Sequence, residues 1–236
     1  TGKSFWALEA AMSVACAATA ESRAAGGDLV GLAPAKAGRV VYYAGEDPKP
    51  ALIGRIHSVG KHLGQEAREA IIENLMVVPI MGKLMDVTKK NKRSQIIKQC
   101  EGARLIVLDT LSRIHTLDEN SNGDMARLVA MLEEIATITK ASVLYLHHVS
   151  KGSARDGQAD QQQAVRGASA LVDNPRWCGF VAKMTEKEAL NHTDRVYDRQ
   201  PIGENRRKFF VRFGVSKQNY AEIDDDRWYQ RHDGGV

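Results

Sequence analysis

The chain has 236 residues, 43% of them apolar and 26% charged, which is the composition of a water-soluble globular protein with room for one large core. No apolar run reaches the roughly 20 residues that a membrane-spanning helix needs, so no membrane partner is expected. A net charge of +4, from 33 Lys+Arg against 29 Asp+Glu, permits a nucleic-acid partner without requiring one. The three cysteines, Cys16, Cys100 and Cys178, are isolated. That spacing excludes a disulfide framework or a cysteine metal site and fits a reducing, cytoplasmic compartment. There is no signal-like start and no Met at position 1, so a fragment of a longer chain is expected, forming one domain over 1–236.

Thr1-Gly2-Lys3-Ser4 reads as the closing half of a phosphate-binding loop. In such a loop backbone N–H groups cradle phosphates, the lysine reaches the terminal phosphates and the hydroxyl binds Mg²⁺. The tripeptide Gly-Lys-Ser is weak alone, because it recurs in surface turns. Its context strengthens it: Phe5 to Ala18 is Ala-rich, lacks Gly and Pro, and predicts a helix buried on most of its circumference. Gly2-Lys3-Ser4 then sits at a helix N-terminus, where free N–H groups and the dipole favour an anion. Gly26-Gly27 is expected to end that helix.

Arg39 to Gly45 predicts a strand buried on both faces, running into Glu46-Asp47-Pro48. Two carboxylates at the C-terminal end of such a strand occupy the ligand edge of an open α/β sheet. Asp47 is expected to cap the following helix and Glu46 to serve as a base. Residues 49–63 and 65–74 predict two helices, the first with an apolar stripe of Leu52, Ile53, Ile56 and Val59. Arg55 on that helix reads as a surface charge. Leu75 to Ile80 predicts a strand, and 81–93 a basic loop leading to a helix that ends near Cys100.

The run Arg104 to Thr110 is a continuous apolar strand that delivers Asp109 to its C-terminal edge, the Walker B arrangement in which the carboxylate holds the Mg²⁺ shell. Residues 124–140 predict an amphipathic helix with Met125, Leu128, Val129, Leu132, Ile135, Ala136 and Ile138 inward. Ala141 to His148 predicts a fourth buried strand ending in two histidines. A histidine there could bond the γ-phosphate and report its loss. Alternation turns one of the pair to the site, and His147 is the candidate. The polar, Gly-containing segment 149–168 reads either as a plain surface loop or as a segment that orders on single-stranded nucleic acid through Lys151, Arg155 and Arg166. Residues 175–182, 208–217 and 227–231 predict strands that extend the parallel sheet with antiparallel ones. Between the first two, 185–206 predicts a helix and an exposed connection.

The order of these motifs resembles the RepA-type plasmid hexameric replicative helicases of the RecA/DnaB-like AAA_25 group. The resemblance rests on Gly-Lys-Ser, Ala44-Gly45-Glu46-Asp47-Pro48, Leu105 to Thr110 and Leu146-His147-His148-Val149-Ser150-Lys151-Gly152. It continues through Asp160 to Gln163 with Arg166-Gly167, Val172 to Trp177, Phe213 to Tyr220, and Asp226-Arg227-Trp228. It runs over essentially the whole chain, and the later motifs are more specific than the phosphate loop.

The resemblance implies an α/β, RecA-like P-loop NTPase core, with a mostly parallel sheet flanked by helices and antiparallel strands near the C-terminus. It implies a ring hexamer driven by ATP and Mg²⁺ along single-stranded DNA, with a replication initiator or primase as a further partner. Thr1 to Ser4 would bind nucleotide, Ser4 and Asp109 Mg²⁺, and Glu46 would activate water. His147 would sense the γ-phosphate, and Arg176 would be the arginine finger, with Arg212 and Lys217 as weaker candidates. The opening glycine of the phosphate loop is a departure, since the sequence begins after it. Two rival readings are a RecA-like regulatory or recombination ATPase that binds DNA without unwinding it, and a nucleotide-switch scaffold.

Overall fold

The computed structural model describes residues 2–16, 29–83, 85–148, 169–223 and 225–231. Its first sheet is built from β1 (Val40–Ala44), β2 (Leu75–Pro79), β3 (Leu105–Asp109) and β4 (Ser142–Tyr145), in the order β2-β1-β3-β4. All of its pairings are parallel. Helices α1 (Lys3–Cys16), α2 (Lys49–Gly60), α3 (Gln65–Asn74), α4 (Lys90–Gln99) and α5 (Asn122–Thr139) alternate with the strands.

Strand β1 is buried at every position, as its unbroken apolar run requires. Val40, Tyr42 and Ala44 enter one core with α1, whereas Val41 and Tyr43 enter a second core with α4 and α5. Helix α1 buries ten of its fourteen residues, so its low amphipathicity reflects a helix enclosed nearly all round. Helix α5 starts under a Ser121 cap, whose hydroxyl accepts from the Asp124 N–H at 3.2 Å, and ends at Lys140 in the left-handed conformation. Two expected inward residues point out: Ile53 and Ile138 are exposed.

The second sheet comprises β5 (Trp177–Lys183), β6 (Phe210–Gln218) and β7 (Arg227–Gln230), antiparallel in the order β5-β6-β7. It stands as a separate sheet among the described residues and does not extend the first one. A short helix, α6 (Ala170–Asp173), precedes β5 and is held by the Tyr145 hydroxyl on the Leu171 carbonyl at 2.7 Å. The connection from β5 to β6 carries two more, α7 (Glu186–Asn191) and α8 (Glu204–Arg207), where one was expected.

Strands β4 and β5 are end strands of their sheets. Between them lies an apolar cleft of about 670 Å³ lined by Trp6, Leu144, Tyr145, Trp177 and Val181 among others. This explains why β4, expected to be fully buried, is only half-buried. Trp6 stacks on Phe213 at 4.3 Å between centroids and so bolts α1 to the second sheet. Trp6→Ala is expected to cost about 3 to 5 kcal/mol, since little can collapse into the space of a buried indole. Chemical denaturation would show this as a lowered midpoint; an unchanged midpoint would mean that the two layers do not depend on the stack.

Candidate nucleotide site

The parallel register places Ala44 opposite Asp109, so the segments leaving β1 and β3 emerge side by side at the C-terminal edge. Gly45 follows β1, and a Cβ there would lie 2.8 Å from the Arg113 side chain and 3.2 Å from the Asp109 carbonyl. Glycine is needed for that close approach. Gly2 has φ +95°, a left-handed conformation that turns the chain into α1. The helix N-terminus then faces the strand ends.

A cavity of about 200 Å³ results, lined by Gly2, Lys3, Ser4, Glu46, Asp109 and His148 together with Phe5, Asp47, Arg55 and Arg231. The Ser4 hydroxyl donates to one Asp109 oxygen at 3.1 Å, and the Tyr42 hydroxyl donates to the other at 2.6 Å. Tyr42 is buried, and it shares a sheet face with Ala44, Val107 and Asp109. Burial raises the Asp109 carboxyl above its ordinary range, and the two hydrogen bonds oppose that rise. A hydroxyl and a carboxylate in contact are the donor pair that Mg²⁺ takes when phosphate oxygens and water complete its shell, so these residues fit that ion. No group of three or more His, Cys, Asp or Glu able to hold a metal by itself stands among the described residues.

The Lys3 ammonium donates to the His147 carbonyl and lies 3.2 Å from His148 Nδ1. His148 Nε2 lies 3.0 Å from Glu46 Oε1. An ammonium has no lone pair, so Nδ1 accepts and Nε2 carries the proton that Glu46 receives. The result is a Lys3–His148–Glu46 chain across the mouth of the cavity. Burial draws the Lys3 ammonium down to about 8, against the attraction of Glu46 and Asp109.

With the Lys3 ammonium as the group meant for phosphate, ATP affinity is expected to fall as pH rises through about 8. About a tenfold loss between roughly pH 7 and pH 9 is expected from that shift. Nucleotide titrations across this range check it; a flat profile would mean that no deprotonation of Lys3 is linked to nucleotide binding over this range.

Three of the expected placements differ. His148, not His147, presents its ring to the cavity: the β4 ladder ends at Tyr145, and His147 instead lines the apolar cleft. Asp47 does not cap α2, whose N-cap is Pro48 with no side-chain bond. It forms a two-pronged ion pair with Arg55, one arm at 3.1 Å. Arg55, read as a surface charge, therefore lines the cavity, over the Phe5 ring at 4.2 Å. Tyr42 and Arg231 were not among the expected site residues. Tyr42 lies two residues before Ala44, and its nearness to Asp109 shows only in the strand register.

Arg176 is exposed just before β5 and lies in the apolar cleft, outside the cavity of its own chain. Arg212 is paired with Glu188 at 3.4 Å and Asp226 at 3.3 Å, and Lys217 donates to the Val172 and Asp173 carbonyls. Thr1, Lys151, Arg155 and Arg166 lie outside the described residues.

The solved structure of a protein's ATPase domain is similar in fold, with a TM-score of 0.50 at 15% identity over 81% of this chain and 70% of that one. A second, "Crystal structure of the RadB recombinase", gives a TM-score of 0.49 at 11% identity over 84% and 77%. The family model AAA_25, described as an AAA domain, matches residues 1–154, which span the phosphate-loop helix, both carboxylate-bearing strands and the histidine pair. The chain belongs to the AAA_25 family of P-loop ATPases.

Proposed function

We propose that this domain is the ATP-hydrolysing motor of a ring-forming DNA helicase that moves on single-stranded DNA during plasmid-type replication. The observation that carries the ATPase part is the convergence of Lys3, Ser4, Glu46, Asp109 and His148 around one cavity at the C-terminal edge of the parallel sheet. The motor part is supported by the resemblance of the motifs beyond the phosphate loop and by the basic residues of segment 149–168.

In this reading Lys3 donates to the terminal phosphates of ATP, and Gly2 and the first turn of α1 offer backbone N–H groups. Ser4 and Asp109 would hold Mg²⁺, which would supply positive charge against the charge that develops during phosphoryl transfer. Tyr42 occupies the second Asp109 oxygen and so fixes the carboxylate's orientation. Glu46 accepts the proton of the attacking water. His148 touches both Lys3 and Glu46, so a γ-phosphate that enters or leaves must change its partners. It takes the sensing role expected of His147.

Arg176 is exposed and lies outside its own cavity, a position suited to reaching the site of a neighbouring subunit. Lys151, Arg155 and Arg166 would contact the DNA backbone, without base readout and with strong salt sensitivity.

The test is displacement of the complementary strand from a single-stranded-tailed duplex by the full-length protein, with electron microscopy of the same sample. ATP-dependent displacement by closed rings is expected. Open filaments without displacement would favour a recombination ATPase, and rings without displacement a nucleotide-switch scaffold.

A further inference from the structure

The cavity receives a residue from the far end of the chain for which the mechanism above has no use. Strand β7 ends at Gln230, paired with Phe210, and the next backbone N–H, that of Arg231, donates to the Phe209 carbonyl at 2.6 Å. This pins Arg231 at one end of the second sheet, and its side chain lines the same cavity as Gly2, Lys3 and Ser4. The guanidinium lies over the Phe5 ring, 5.3 Å from its centroid, and Phe5 directly follows Ser4 in the first turn of α1.

The charges around the cavity are unequally engaged. Arg55 covers the same phenyl ring but gives its donors to both oxygens of Asp47. Lys3 lies in the field of Glu46 and Asp109. Among the described residues Arg231 has no carboxylate partner; its contacts are the Phe5 ring and the backbone bond to Phe209. The cation–π contact with Phe5 holds the charge near the ring without using its N–H groups. A guanidinium held in this way at the rim of a phosphate cavity matches the fork geometry that phosphate oxygens accept.

We propose that Arg231 binds the phosphate chain of the nucleotide within its own subunit, and that this contact ties the second sheet to nucleotide occupancy. The proposal rests on the ATP-site reading above. Arg176 leads into β5 at the opposite end of the same sheet, where Trp177 pairs with Gln218, while Gln230 pairs with Phe210 at the other. The sheet thus runs from a contact in its own cavity to the residue offered to a neighbour.

The experiment measures equilibrium binding of Mg-ATP, Mg-ADP and inorganic tripolyphosphate to the full-length protein and to its Arg231→Ala, Arg231→Lys and Lys3→Ala variants. Arg231→Ala is expected to weaken all three ligands by about tenfold or more, the value of a charge-assisted phosphate contact. Arg231→Lys should fall between, keeping the charge and losing the fork. A thermal melt of each variant without ligand verifies folding.

Hydrogen exchange supplies a second readout. Mg-ATP should slow exchange of β7 amides in the parent protein and leave them unchanged in Arg231→Ala. Unaltered affinity in Arg231→Ala would overturn the proposal. So would a loss confined to ATP and ADP, which would assign Arg231 to the nucleoside. If Lys3→Ala binds tripolyphosphate as the parent does, or the parent binds none of the ligands, the ATP-site reading itself fails and Arg231 loses its role with it. A Lys3-dependent site that is indifferent to Arg231 sinks only the present proposal.

Discussion

Glu46→Gln is expected to lower ATP turnover by about 10³-fold, the usual contribution of a positioned general base, while leaving ATP binding nearly intact. The amide is isosteric and can still accept from His148 Nε2, which lies 3.0 Å from the carboxylate in the parent. What it cannot do is take a proton from water. Turnover and nucleotide affinity should therefore separate, which distinguishes a base from a residue that only holds the site together. Single-turnover hydrolysis and a nucleotide titration read the two quantities. Equal losses in both would mean that Glu46 acts through the geometry of its neighbours.

A loss of similar or greater size, about 10³-fold or more, is expected for Arg176→Ala, with one distinguishing signature. An arginine in trans stabilises charge on the phosphoryl group of a neighbour's nucleotide, so the variant should bind ATP normally and assemble normally. Mixing it with Glu46→Gln subunits should then restore part of the turnover. At a mixed interface the Arg176→Ala subunit supplies an intact Glu46 and its neighbour supplies an intact Arg176. A cis residue gives no such complementation, because an interface between two defective subunits then never holds a complete site. Its position outside the cavity of its own chain is what makes the mixing experiment informative. Turnover of the mixture that stays at the level of the two separate variants would move the finger role away from Arg176.

Parts of this structure are legible in the sequence because burial leaves a simple trace. Strands β1 and β3 lie inside the sheet with helices on both faces, so their runs are uninterrupted, and the carboxylates that follow are conspicuous. Helix α1 is equally plain, and its own start places Gly2-Lys3-Ser4. The histidine pair shows where such reading needs the fold. Alternation selects His147 only if the strand continues to His148, but β4 ends at Tyr145, and one residue of error exchanges which ring meets Glu46.

Tyr42 is hidden by its company, since a tyrosine in a buried run looks like core until the register shows it two positions from the Asp109 level. Asp47 and Arg55 each suggest a local role, a cap and a surface charge, although their pairing needs the turn between β1 and α2 to fold. Arg231 has no local signal at all. It reaches the cavity only because β7 pairs with β6, and Phe213 of β6 stacks on Trp6 of the phosphate-loop helix.

The claim on which the rest depends is that the cavity is an ATP-hydrolysis site coupled to single-stranded DNA. The most direct measurement is steady-state ATP turnover by the full-length protein, with and without a single-stranded oligonucleotide, beside the Lys3→Ala variant. Turnover that rises severalfold on adding DNA, weakens as salt is raised, and disappears in Lys3→Ala is the expected result. Turnover indifferent to DNA would contradict the motor reading, and turnover that survives in Lys3→Ala would show that hydrolysis occurs somewhere other than this cavity.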